Sequence, residues 1–147
     1  MKSLLDTETY QEIKSRMATL NENSERKWGK MSIAQMAWHC KYPLKLAIEN
    51  KENNFKGNWL IKTFFKKSLY NDKPFRKNLP TAPQLKAKEP KDFITEFNDL
   101  TNLVDEFQKL KNRDLWYPHP TFGSFTKEQW GKIQYKHLDH HLKQFGV

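Results

Sequence analysis

The chain has 147 residues, Lys+Arg 26 against Asp+Glu 17, and a formal net charge of +9. That length is one ordinary domain, expected here over residues 1–147, and it can bury about 70% of its unfolded surface without a disulfide or a structural metal. No apolar run approaches the length of a membrane span, the start MKSLLDTETY turns acidic after two leucines, and the lone Cys40 has no internal partner. Membrane insertion and secretion are therefore not expected, and a reducing cytoplasm is.

The charge excess raises nucleic acid or an anionic surface as partners, but its chemistry argues otherwise. Only four of the 26 basic residues are Arg, the side chain that reads phosphates and bases bidentately. Residues 56–91 hold ten of them, against Asp72 and Glu89, in a segment with no nucleic-acid motif. A solvated lysine surface with no specific nucleic-acid partner is expected. The competing idea is that Lys62, Lys66 or Lys67 faces a pocket and attracts an anionic small molecule.

Four stretches carry helical periodicity. From about 6 to 20, Tyr10, Ile13, Met17 and Leu20 recur at steps of three and four, with Asp6 as the expected N-cap. From 32 to about 50, Ser32-Ile33-Ala34-Gln35 reads as a capping box, and Met36, Cys40, Pro43, Leu44 and Ala47 share a face. Pro43 removes one intrahelical bond, so a kink or short break is expected there. Some forty residues follow, too many for an ordinary bundle loop. Within them Asn58–Tyr70 reads as a short helix or aromatic flap, and Pro74, Pro80, Pro83 and Pro90 keep the remainder extended. From about 91 to 111, Phe93, Phe97, Leu100, Val104 and Phe107 form a bundle seam. From 127 to 145, Thr126 and Gln129 form a second capping box, Trp130, Ile133, Leu138, Leu142 and Phe145 form the apolar stripe, and Gly146 is the stop. The fold class is all-α: a four-helix bundle with a long crossover between helices two and three.

No phosphate loop, dinucleotide fingerprint, nucleophile elbow, HExxH or CxxC occurs. The chemistry rests on five histidines. At 100° per residue His137 and His141 lie about 40° apart on the stripe of Trp130 and Ile133, while His140 falls at its margin. An inward pair at i and i+4 matches the spacing one metal ion needs; the alternative is two rings satisfied by other side chains or water. His39 reaches the same level of the bundle if helices two and four are antiparallel neighbours. His119 lies far along the chain axis from His141 and is read as structural in its His-Pro turn. Cys40 is a small core residue, and Asp139 lies on the outer face with no assigned role. Gln35, Tyr42 and Gln134 are candidate supports for the metal ligands, each equally readable as structural.

The run Trp28-Gly29-Lys30-Met31-Ser32-Ile33-Ala34-Gln35-Met36-Ala37-Trp38-His39-Cys40 resembles the second-helix opening of the DinB-like metalloenzymes. His119-Pro120-Thr121-Phe122-Gly123, then Trp130-Gly131 and Tyr135-Lys136-His137-Leu138-Asp139-His140-His141-Leu142-Lys143-Gln144-Phe145-Gly146, is similar to the last-helix signature of one bacterial branch of that superfamily. Lys73-Pro74, Pro80-Thr81 and Pro83 resemble its central segment. The resemblance implies one divalent metal on His39, His137 and His141. It also implies thiol-dependent chemistry with a low-molecular-weight thiol, as in the better-known transferases and isomerases.

Two functions are therefore expected. The first is a metal-dependent enzyme performing S-transfer or hydrolysis on a small electrophile, since three imidazoles leave an open coordination position. The second is a non-catalytic metal- or small-ligand-binding protein. Zn or Ni suits the ligand set first, with Fe, Cu and Mn as further choices. The expected partner is a small-molecule substrate, without membrane or specific nucleic acid, and a homodimer is one candidate assembly.

Overall fold

A computed structural model describes residues 1–49, 51–52, 65–80 and 83–147. Among those residues the α-helices are α1 (Thr7–Met17), α2 (Ile33–Glu49), α3 (Phe93–Lys109) and α4 (Lys127–Gln144). Among the described residues there is no strand, and one isolated bridge joins His119 to Gly123. The architecture is an all-α four-helix bundle, with α2 and α3 its most extensive pair. Between them the crossover holds short 3-10 turns at Lys66–Leu69 and Pro83–Leu85. Most of the expected Asn58–Tyr70 flap lies outside the described residues.

Local chemistry sets the helix ends. Ser32 Oγ accepts from Gln35 N at 3.2 Å and Gln35 Oε1 accepts from Ser32 N at 3.0 Å, closing the first capping box. Thr126 and Gln129 close the second in the same way. After α4, Gly146 at φ +85 lets its own N–H reach Lys143 O while Val147 N reaches Leu142 O, a Schellman ending that needs a left-handed residue. Asp6 stands at the N-cap of α1, but its carboxylate accepts from Ser3 N behind it and caps no helix amide.

All four helices feed one core. Ile13, Met17, Met36, Cys40, Leu44, Leu100, Val104, Phe107, Trp130 and Leu138 are each at most 2% exposed; fully burying a side chain of this kind stabilises by about 1.5–3 kcal/mol. Of the kink or short break expected at Pro43, the break does not occur. Helix α2 runs uninterrupted from Ile33 to Glu49, with fully buried Cys40 and Leu44 on either side of the proline. Packing of those flanks outweighs the roughly 3 kcal/mol that an internal proline costs a helix.

Leu4 and Leu5 also enter the core, because Leu4 N donates to Gly131 O and the segment lies on α4. A Cβ at Gly131 would stand 2.1 Å from Ser3 Oγ, so a side chain there would displace the hydroxyl that accepts from Leu5 N. Lys41, 8% exposed, pairs with Glu96 and Asp99 of α3.

Candidate metal centre

Helices α2 and α4 run antiparallel. Gln134 Nε2 donates to Pro43 O at 3.1 Å, while His39, earlier on α2, meets His137 and His141, later on α4. This register brings three imidazoles together. Ring centroids lie 4.9 Å apart for His39–His137, 4.9 Å for His39–His141 and 4.7 Å for His137–His141. One nitrogen from each of the three lies within 4.8 Å of the others. In a tetrahedral site with 2.0–2.1 Å bonds, ligand nitrogens stand about 3.3 Å apart, so the cluster is of the right size for one ion.

Two of the three rings have their tautomers fixed by acceptors. His39 Nδ1 stands 3.0 Å from Leu85 O, so it carries the proton and donates, leaving the lone pair on Nε2. Gln144 Nε2 donates to Trp28 O at 2.9 Å, which turns Gln144 Oε1 to His141 Nδ1 at 2.8 Å. His141 therefore donates from Nδ1 and also keeps its Nε2 lone pair. His137 has no such support. Its Nε2 sits 3.0 Å from His39 Nε2, and its buried Nδ1 has no hydrogen-bond partner.

Either tautomer of His137 leaves something unmet. A proton on Nε2 bonds His39 but strands a buried lone pair on Nδ1. A proton on Nδ1 strands a donor and turns three lone pairs toward one another. A cation among the three Nε2 atoms removes the second conflict, the facing lone pairs, and leaves His137 Nδ1 as a donor without a protein acceptor, so this donor set fits a divalent metal. Burial holds His39 below the usual histidine pKa, the Leu85 bond opposing it. His137 is held well below by burial and then by its imidazole neighbours, and His141 is lowered to about 3, again chiefly by burial. All three are neutral, the form a metal needs.

His140 stays outside the trio. Its ring lies 5.9 Å from that of Trp28 and 5.8 Å from that of Phe75, edge-on to both. His119 is structural, as its turn suggested: it exchanges backbone bonds with Gly123, and its Nδ1 accepts from Thr121 N and Phe122 N. Cys40 is fully buried with its thiol against Met36, and burial raises its pKa. Asp139 pairs with Arg16 and Lys143, away from the centre.

Among the proposed supports, Gln35 serves its capping box and Tyr42 lines the adjoining pocket, while Gln134 reaches Pro43 O with Oε1 left unpartnered. The residue that orients His141 is Gln144, which the sequence reading passed over. Its i+3 spacing from His141 was the available signal. The Leu85 carbonyl that orients His39 comes from the crossover and carries no side-chain signature.

A pocket of about 520 Å³ opens on the trio, lined by His39, His137 and His141 together with aromatic and aliphatic side chains from the crossover and from residues preceding α4. Lys66 and Lys67 do not line it: Lys66 bonds Ser124 O and lies 4.7 Å from the Phe125 ring, and Lys67 is exposed. Lys62 lies outside the described residues. The crossover is held to α4 by buried Lys136, whose Nζ donates to Ser68 O, Asn71 O and Asn71 Oδ1.

No helix among the described residues is long and apolar enough to cross a membrane. No curated protein and no solved structure matches the chain. The family model described as "Protein of unknown function (DUF1569)" matches residues 1–146, and with a helical bundle spanning the same residues the chain belongs to that family.

Proposed function

We propose that the chain, acting as one domain, binds a single divalent metal through His39, His137 and His141 and serves as a metal-dependent enzyme on a small electrophile. The observation that carries this reading is the convergence of three neutral imidazoles, with the Nε2 atoms of His39 and His137 3.0 Å apart, in the lining of a pocket. The resemblance to DinB-like metalloenzymes supports it independently, since it implies the same three residues. A divalent ion held by three imidazoles keeps a coordination position open and acidifies the water or thiol placed there.

The protein's own part is orientation and exclusion of water. Leu85 O and Gln144 Oε1 hold two rings with their lone pairs inward, and both supports are in place before any ligand arrives. The apolar walls lower the local dielectric, which strengthens the field at the reacting atoms. Zn or Ni is the first choice of metal and a low-molecular-weight thiol the proposed co-substrate, with S-transfer as the reaction and hydrolysis as its variant. The proposed setting is the cytoplasm, without specific nucleic acid.

Elemental analysis of protein purified without chelator should give one equivalent of metal, and His137→Ala or His141→Ala should give none. A thiol-conjugation assay on generic electrophiles then tests the chemistry. Metal at one equivalent with no turnover of any electrophile, by thiol or by water, would leave the non-catalytic binding protein as the reading.

A further inference from the structure

The pocket beside the trio has a composition unlike that of the chain around it. Charged residues make up 29% of the sequence. Among the described residues lining the pocket there is no Asp, Glu, Lys or Arg. Its walls are instead Trp28, Phe75, Phe122, Phe125, Leu46 and Leu69, with polar groups such as Tyr42, Asn78 and His140 that carry no formal charge when neutral. About 520 Å³ is the size of a small-molecule site, where apolar walls bind and a few polar groups orient.

Lysines do lie close by, yet three of them are placed against the walls. Lys77 sits 4.5 Å from the Trp28 ring, Lys136 4.5 Å from Phe75 and Lys66 4.7 Å from Phe125. Lys136 and Lys66 also donate to backbone carbonyls of Ser68, Asn71 and Ser124. Each thus has a ring face for a partner, and none lines the cavity. In the metal-free chain a charged ligand entering it would shed water without meeting a charged side chain among the described residues, whereas an uncharged ring would exchange water for aromatic edges and faces.

We infer that this pocket takes an uncharged, apolar, ring-bearing small molecule. The inference rests on the metal-centre reading only for what then happens to that molecule, and it narrows the electrophile to a neutral aromatic class.

The test uses the full chain in metal-free form, where no cation draws the anionic probe, and three probes that share one ring: nitrobenzene, benzenesulfonate and benzyltrimethylammonium. Calorimetry, with tryptophan quenching for nitrobenzene, should show nitrobenzene binding at least about 10-fold more tightly than either ion. Phe75→Ala, at a half-buried position outside the core, should weaken nitrobenzene about fivefold, with zinc uptake in a separate measurement unchanged. Equal or tighter binding of benzenesulfonate or of the cation would overturn the inference, as would failure of all three probes to bind. Repeating the titration on His137→Ala separates the two readings. Nitrobenzene preference retained in a chain that takes up no zinc supports the pocket assignment by itself, and a wild-type chain with that preference but no zinc would overturn the metal centre alone.

Discussion

Histidines that are buried or half-buried occur in two regions of this molecule, and each region meets the cost of desolvation in its own way. His119 sits in a closed turn, its Nδ1 accepting two backbone amides and its ring 5.8 Å from that of Trp130. The trio on α2 and α4 points its lone pairs inward, with one nitrogen unpartnered. Burial depresses the pKa in both regions, to about 4 for His119 and about 3 for His141. A depressed pKa therefore does not tell a structural histidine from a ligand. The accounting of buried hydrogen-bonding atoms does, because no buried nitrogen of His119 is left without a partner, whereas His137 Nδ1 is.

The largest effect that could break this comparison is on metal content. His39→Leu, His137→Leu and His141→Leu should each abolish stoichiometric metal, while His119→Leu and His140→Ala should retain it. Loss of metal in His140→Ala with retention in His141→Ala would reassign the ligand pair to His137 and His140. Affinity comes next. Gln144→Leu removes the acceptor for His141 Nδ1, and metal affinity measured by chelator competition should fall about 10–100-fold.

Stability should separate the regions in the opposite sense. In metal-free protein, His119→Leu leaves two backbone amides without an acceptor and should cost about 2 kcal/mol in urea unfolding. His137→Leu replaces a ring that cannot be satisfied, so the metal-free protein should stay within about 1 kcal/mol of wild type or gain stability.

The pH dependence is a finer test. Both His119 and His141 are neutral in the fold and titrate near 6.5 once unfolded, so below that pH the unfolded chain binds more protons. Stability of the metal-free protein should decline as pH falls from about 6.5, to about 4 through His119 and on to about 3 through His141. His119→Leu should flatten the upper part of that decline. A slope identical to wild type between pH 6 and 4 would show that His119 is not the neutral, closed group described here.

Much of this was legible because it is local. Capping boxes at Ser32 and Thr126 need only a four-residue window, and the level of His39 against His137 and His141 follows from helical rise once helices two and four are antiparallel neighbours. What was not legible depends on partners distant in sequence. Gln144 orients His141 only because Trp28 O engages its amide, 116 residues away. That contact also explains Gly29. At φ +80, a Cβ there would lie 2.5 Å from Gln144 Nε2, so the Trp28-Gly29 pair shapes the metal centre as well as leading into α2. Leu85 acts through a carbonyl that any residue would supply, and Lys136 reads as a surface lysine until the crossover folds over it. Leu4 and Leu5, considered only against a secretory leader, turn out to be core.

The anchoring of the crossover by Lys136 has a consequence for how such a pocket can change over evolutionary time. Two of its three bonds go to the main chain of Ser68 and Asn71, and the Leu85 support for His39 is likewise a main-chain carbonyl. Side chains at neighbouring wall positions such as Leu69 and Phe75 can therefore be exchanged without detaching the wall or turning the ligand ring. Attachment is written in the backbone and selectivity in the side chains. A lineage could retune what the cavity accepts, one wall residue at a time, while the centre beneath it stays intact.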